Sequence, residues 1–270
     1  MFASPEDQLF VFALSIGFLA TTCEIARYAL GILTKRKGFA LDERSIDTLV
    51  THGPSYANSL IHAIINGYQG VVNLVSLANA PTSSKLFGFD PIPHGAFVNA
   101  TRSVLTFNTF FRAHLLLDLF HVLRKYPKLG GMDVVIHHSV FLTCSVINHY
   151  YFILPFGFTW LIIGEISTIF MNLRWFLIKT GRGDMKLCRV VENLFALTFF
   201  VTRIVIYSMG VFDLATQKSE LIDAVKRERV PLIFLGVSVF FICVGFILNF
   251  FWFQKILYIA IYGSKKKKPE

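Results

Sequence analysis

Long runs of apolar residues are the feature that most constrains this chain. Seven such runs follow one another along its 270 residues, and a helix of about 20 mostly apolar residues crosses the hydrocarbon core of a bilayer. Hydrophobic residues make up 54% of the chain and charged residues only 16%, which excludes a water-soluble globule, a disordered chain and a disulfide-rich secreted domain. The sequence therefore predicts an all-α, multi-pass transmembrane helical bundle of about seven helices. The predicted spans are roughly residues 9–33, 56–78, 103–123, 133–153, 156–178, 189–211 and 231–261.

The distribution of basic residues predicts the orientation of this bundle. Cytosolic loops of membrane proteins carry an excess of Lys and Arg. If the N-terminus lies outside, fifteen basic residues fall in the four cytosolic segments and six on the opposite side. The C-terminus is therefore predicted to be cytosolic. Although the net charge is +9, the positive residues form short clusters between apolar runs, so we expect no nucleic acid as a partner.

The extreme C-terminus carries a candidate sorting signal. Lys267 and Lys268 stand at the fourth and third positions from the end of the sequence, which is the form of a dilysine signal that the retrieval coat of the early secretory pathway reads. The alternative is a polybasic stretch that binds anionic lipid. The tail thus predicts a protein of the endoplasmic reticulum membrane, with Lys267 and Lys268 as the retrieval residues.

Polar residues at membrane depth are the most informative ones, because each charged side chain there costs about 2.5 to 3.5 kcal/mol on insertion scales. Asp118 falls in the predicted cytosolic half of the third span, and His137 and His138 lie in the first two turns of the fourth. Adjacent helical residues point about 100° apart. One histidine could therefore act on a substrate while the other bonds to Asp118, whose carboxylate would orient it and raise its basicity. The alternative is a hydrogen bond that locks two helices and carries no chemistry.

Further polar residues are expected within the spans, most of them toward the cytosolic leaflet, with Glu165 near the midplane and Arg203 past the middle toward the outside. Together with Asp118 and the two histidines, they predict a cavity that opens toward the cytosol and contacts membrane lipid. We expect no metal and no tightly bound cofactor, since no span carries an HExxH or HxxxH motif on one face and the four cysteines are scattered. The residues expected to bind the substrate are Ser59 and His62 in the second span, Glu165, Asn172 and Arg174 in the fifth and Arg203 in the sixth.

The ordered set of motifs resembles the TLC domain family, which includes the ceramide synthases. The motifs are IHHSVF at 136–141, preceded by LDL at 117–119, and GEIST at 164–168, followed by NLRWF at 172–176. The resemblance implies a helical bundle around a cavity for a lipid acyl chain, usually in the endoplasmic reticulum. It also implies acyl-CoA as a co-substrate, with the histidine pair as the base or as a transient carrier of the acyl group. Ceramide synthases carry an acidic motif where this chain has GEIST, so acylation of a sphingoid base is not implied.

These observations predict three regions and a lipid-related function. Residues 1–39 form an N-terminal transmembrane helix and a basic loop, residues 40–262 form the TLC domain, and residues 263–270 form a cytosolic basic tail. The predicted function is membrane lipid homeostasis, by means of an acyl-CoA-dependent lipid acyltransferase with a His/Asp site. The alternatives are a non-catalytic lipid-binding regulator of membrane composition and a cargo adaptor of the endoplasmic reticulum. The sequence leaves open whether the protein is an enzyme.

Overall fold

The computed structural model is all-α, as the sequence predicts. It describes residues 5–35, 41–80, 85, 95–129 and 131–262. Each predicted span corresponds to a helix or to consecutive helical segments. A further helix, α9, lies between the sixth and seventh predicted spans. The helical elements are α1 (Pro5–Lys35), α2 (Glu43–Ala78), α3 (Gly95–Arg124), α4 (Met132–Tyr151), α5 (Pro155–Ile162), α6 (Glu165–Lys179), α7 (Lys186–Phe199), a π-helical turn (Phe200–Ile206), α8 (Tyr207–Thr216), α9 (Lys218–Arg227) and α10 (Leu232–Tyr262).

Five helical segments of the described chain are long and apolar enough to cross a membrane. The two other predicted spans correspond to α3 and α4, which form helices but are not among the five. Both carry buried or half-buried polar residues, such as His114 and Asp118 in α3 and His138 in α4, and these residues lower the mean hydropathy. The five segments are Asp7–Lys35, Glu43–Ala78, Pro155–Lys179, Lys186–Thr216 and Leu232–Ile261.

Helix α2 packs one face into the bundle, against α1, α3, α5 and α6, and leaves residues such as Tyr68 and Val75 exposed on the other face. Its polar residues Asn58, His62, Asn66 and Asn73 are buried, which explains how a helix with so many polar groups is accommodated. Lipid could not satisfy their hydrogen bonds, whereas neighbouring helices can. The helix begins at an N-cap, where Asp42 accepts a hydrogen bond from the Ser45 amide.

The predicted span 156–178 is two helices rather than one. Helix α5 ends at Ile162, and α6 begins at Glu165. Gly67 and Gly70 of α2 face this break, and a Cβ at either position would lie 3.0–3.1 Å from atoms of residues 162–166. Small residues allow two helix backbones to approach closely. The break therefore packs directly onto α2 and places Glu165 at the start of a helix.

The sixth span also departs from a regular helix. Residues Phe200–Ile206 form a π-helical turn between α7 and α8, and such turns often occur at functional sites. Arg203 lies within this turn. In α8, Gly210 faces the ring of Trp160, and a Cβ at that position would overlap the indole. The packing of α8 on α5 therefore requires a residue without a side chain at Gly210.

Several segments that sequence analysis assigned to the cytosolic side meet at one end of the bundle. The Lys125 ammonium donates a hydrogen bond to the carbonyl of Thr51, 3.1 Å away. Leu41 lies beside Gly181, within 3.5 Å of where a Cβ would stand. The loop after α3, the start of α2 and the loop after α6 therefore share this end, which we call the basic end.

Candidate functional site

A cavity of about 480 Å³ lies among the helices. Polar residues from α2, α3, α4, α6 and the π-helical turn line it, together with aromatic side chains such as Phe111, Phe141 and Trp252. Eight of the nine residues predicted to be catalytic or substrate-binding belong to this lining. They are Ser59, His62, Asp118, His137, His138, Glu165, Asn172 and Arg203.

Asp118 is paired with His138 across the interface of α3 and α4. The Asp118 Oδ2 atom lies 3.0 Å from His138 Nε2, and Ser55 donates its hydroxyl proton to Asp118 Oδ1 at 2.6 Å. Only 15% of the Asp118 side chain and 13% of the His138 side chain are exposed. The carboxylate is therefore held by two partners from two different helices, in surroundings that shield it from water.

Both ring nitrogens of His138 face oxygen atoms. In addition to the contact with Asp118, His138 Nδ1 lies 2.9 Å from the carbonyl oxygen of Val134. A carbonyl oxygen and a carboxylate both accept hydrogen bonds, so this arrangement suits an imidazolium that donates from both nitrogens. His138 in this state has no free lone pair with which to act as a base.

His137 is placed differently from its neighbour. Its ring lies against Phe141 and Trp252, with centroid separations of 4.6 and 5.5 Å. Among the described residues, its buried Nδ1 atom has no hydrogen-bond partner. His137 lines the cavity and therefore combines an apolar setting with an uncommitted ring nitrogen.

A second polar cluster surrounds Arg203. Its guanidinium donates to the Ser167 hydroxyl at 2.9 Å, to the Thr168 hydroxyl at 3.1 Å and to the Gly164 carbonyl at 3.2 Å. It also lies 3.5 Å from Glu165 Oε1. A Cβ at Gly164 would stand 3.4 Å from the Arg203 side chain. The break between α5 and α6 and the π-helical turn thus bring this cation and carboxylate together.

His62 and His114 stack on each other inside the bundle. Their ring centroids are 3.7 Å apart and their planes differ by 13°. The Asn66 side-chain amide lies 2.6 Å from His62 Nε2. With this amide as donor, the ring proton of His62 is on Nδ1, which points toward Glu165 Oε2 at 3.8 Å.

Two predicted assignments fall elsewhere. Arg174 is absent from the cavity lining and forms an ion pair with Glu192 at 2.9 Å, with both side chains about 40% exposed. Helical spacing explains this difference, because Arg174 is only two residues beyond Asn172 and therefore points to another face of α6. Lys267 and Lys268 lie outside the described residues.

Several residues of the cavity lining are not among the predicted site residues. Helical spacing could have identified Ser55, which precedes Ser59 by four residues, and His114, which precedes Asp118 by four. Other missed residues come from the C-terminal half of α10 and from the first turn of α6, just after a helix break that periodicity does not locate. The additional polar residues of the lining are Ser55, Tyr56, His114, Asp133, Ser167, Thr168, Tyr207, Asn249 and Lys255.

The cavity reaches the basic end of the bundle. Leu129, in the loop after α3, and Asp133, at the start of α4, line it there, and Lys255 of α10 contributes a cation. Within the described ranges, no group of three or more His, Cys, Asp and Glu residues is arranged to hold a metal ion. All four cysteines are free.

Comparison with known proteins identifies the family. The TLC domain model, which covers the TRAM, LAG1 and CLN8 proteins, matches residues 56–258. The chain belongs to the TLC domain family. An uncharacterized TLC domain-containing protein of Schizosaccharomyces pombe is 27% identical over 157 residues, which cover 56% of this chain and 51% of that protein. The chain therefore spans about half the length of this curated relative. No solved structure matches it.

Proposed function

We propose that this TLC domain protein is an acyl-CoA-dependent lipid acyltransferase that acts in membrane lipid homeostasis. The observation that carries the proposal is the contrast between the two histidines in one cavity. His138 is bonded at both nitrogens, whereas His137 Nδ1 has no partner among the described residues. A general base needs a free nitrogen within reach of the substrate proton. We therefore assign this role to His137.

The proposed reaction transfers an acyl group from the thioester of acyl-CoA to a lipid hydroxyl. His137 takes the hydroxyl proton while the oxygen attacks the thioester carbonyl, so that a C–O bond forms and the C–S bond breaks. The proton then passes from His137 to the departing thiolate, which leaves as free CoA thiol. Asp118 and His138 act as a charge pair that holds the start of α4, and therefore His137, in position.

The two ends of the cavity suit the two parts of such substrates. Aromatic side chains such as Phe111, Phe195 and Phe199 line its interior and would contact an acyl chain. Lys255 is a cation on the lining near the basic end, where it would attract the CoA phosphates. We place this end on the cytosolic side, in keeping with the distribution of basic residues in the sequence.

Acyl transfer by the purified protein tests this function. Protein in lipid nanodiscs is mixed with oleoyl-CoA and a membrane lipid extract, and the free CoA thiol and the new acylated lipid are measured together. We expect His137→Ala to lower the rate by at least about 100-fold, since general base catalysis contributes roughly 10²- to 10⁴-fold. The control is His121→Ala in α3, because His121 does not line the cavity. An equal rate from His137→Ala and wild type would contradict the assignment, and no thiol release by wild type would contradict the function.

The proposed location is the endoplasmic reticulum membrane with a cytosolic C-terminus. We expect Lys267→Ala/Lys268→Ala to move the protein to later secretory compartments while its abundance stays unchanged, because the substitutions lie in a terminal tail. Lys265→Ala/Lys266→Ala is the matched control, since it removes the same charge but keeps the lysines at the third and fourth positions from the end. Microscopy with compartment markers measures the shift. An equal shift for both variants would indicate that the tail acts only through its charge.

A further inference from the structure

Two pairs of hydrogen-bonding groups lie unfilled between α2 and α6. In the first pair, the Asn172 side-chain amide donates to Ser59 Oγ at 3.1 Å, while the buried Asn172 Oδ1 has no partner among the described residues. The Ser59 hydroxyl accepts that bond, so its own proton remains available. This pair therefore offers one acceptor and one donor to a molecule in the cavity.

The second pair is His62 and Glu165. His62 is 1% exposed, and its Nδ1 atom has no hydrogen-bond partner in the described part of the chain. The 3.8 Å gap to Glu165 Oε2 is too long for a hydrogen bond. With the proton on Nδ1, this pair also offers one donor and one acceptor. All four residues line the cavity.

A hydroxyl group is the chemical complement of such a pair, because it donates one hydrogen bond and accepts others. Ser59 and His62 are three residues apart on α2, so their Cβ atoms are about 5–6 Å apart. Two hydroxyls on neighbouring carbon atoms can each form a hydrogen bond of about 2.8 Å. Together they can therefore bridge two protein groups that are separated by this distance. One diol could therefore fill both pairs.

Charged headgroups are less suited to this part of the cavity. The Arg203 guanidinium is already bonded to Ser167, Thr168 and Gly164 and lies next to Glu165. A phosphate here would lack an uncommitted cation and would face the acceptor Asn172 Oδ1. An ammonium could donate to Asn172 Oδ1 and Glu165 Oε2, but it has no acceptor for the two donors, the Ser59 hydroxyl and His62 Nδ1.

We propose that Ser59, His62, Glu165 and Asn172 form a subsite for an uncharged polyhydroxyl headgroup, and that the acyl acceptor is a neutral lipid with a glycerol-like head. The assignment of this lipid as the acceptor rests on the proposed acyltransferase function. The subsite itself rests on the four unfilled groups.

Ligand preference measured on the full chain tests the subsite. The His137→Ala protein is placed in phosphatidylcholine nanodiscs to prevent turnover. Its thermal unfolding is followed with 1-monooleoylglycerol, oleoyl lysophosphatidic acid, sphinganine and methyl oleate, which has the chain but no hydroxyl. We expect saturable stabilisation by monooleoylglycerol and a smaller effect from the other three. Equal or greater stabilisation by any of the other three would overturn the proposal.

A matched pair of serine variants locates the binding. Ser59→Ala removes a hydroxyl from the subsite, and we expect about 5- to 10-fold weaker binding of monooleoylglycerol, the usual effect of one lost neutral hydrogen bond. Ser76→Ala changes an exposed serine of the same helix that bonds only to its own backbone at Val72, and its affinity should be unchanged. Equal affinities of the two variants would overturn the proposal. If Ser59→Ala fails to fold, the subsite is judged by the thermal-unfolding series alone, in which monooleoylglycerol must stabilise the His137→Ala protein more than the other three ligands do.

The subsite and the acyltransferase function fail in different ways. The first case uses the protein with His137 intact. If it transfers acyl groups to another acceptor and does not bind monooleoylglycerol, the subsite is overturned and the function is kept. Saturable binding of monooleoylglycerol without CoA thiol release would support the subsite and overturn the function.

Discussion

Asp118→Leu is expected to remove most of the folded protein from the membrane fraction. The substitution leaves His138 Nε2 and the Ser55 hydroxyl without the carboxylate that each of them contacts. Breaking a buried charge pair by removing one partner typically costs about 3–5 kcal/mol, which is a large part of the stability of most proteins. Quantitative immunoblotting of membranes and thermal unfolding of the purified variant measure the loss.

Asp118→Asn separates a catalytic contribution from a structural one. Asparagine keeps the shape of the side chain and still forms hydrogen bonds, but it removes the charge that pairs with His138. We expect near-normal abundance and at least about a 10-fold loss of acyl transfer, because His138 and the adjacent His137 then lie in a changed electrostatic environment. Normal abundance together with a normal rate would mean that Asp118 only joins α3 to α4.

Arg203→Met is expected to have a similarly large effect on folding. It leaves the Glu165 carboxylate without a cation and takes donors away from Ser167, Thr168 and the Gly164 carbonyl. Arg203→Lys should recover only part of the loss, because an ammonium cannot reproduce the planar set of donors. Membrane abundance and resistance to proteolysis are the measurements.

A double variant tests whether the unpaired Glu165 carboxylate causes the loss of folded Arg203→Met protein. Glu165→Gln removes the uncompensated charge, so Arg203→Met/Glu165→Gln should be more abundant than Arg203→Met alone. If the double variant is as scarce as the single one, the hydrogen bonds to Ser167, Thr168 and Gly164 are the main role of Arg203. Normal abundance of Arg203→Met itself would contradict both accounts.

The sequence is sufficient to predict those parts of the site in which helical geometry alone determines which residues lie close together. Counting residues from the ends of the apolar runs places Asp118 and the histidine pair at one depth, and the structure brings Asp118 and His138 within 3.0 Å. Spacing along one helix likewise relates Ser59 to His62. The same rule would have added Ser55 and His114, which lie on the faces already identified.

Irregular backbone is the feature of the fold that hydrophobic periodicity cannot predict. Residues on both sides of the break at 163–164 are apolar or suited to a helix, so the predicted span continues through it. The position of Arg203 depends on this break and on the π-helical turn. Arg174 illustrates the opposite error, since a charged residue within a predicted span proved to belong to a partly exposed ion pair. The sequence identifies a residue as polar, but tertiary packing determines which residue becomes its hydrogen-bond or ion-pair partner.

The π-helical turn makes the length of its segment as important as its composition. A π turn holds one more residue than an α turn, so Phe200–Ile206 takes up an additional residue while the helices before and after it keep nearly the same relative orientation. Deleting one residue from this stretch would allow ordinary α-helical hydrogen bonding and would leave Gly210 facing Trp160. It would, however, remove the irregular backbone that carries Arg203. A single-residue deletion here should therefore disturb the cluster around Arg203 more than the packing of α8.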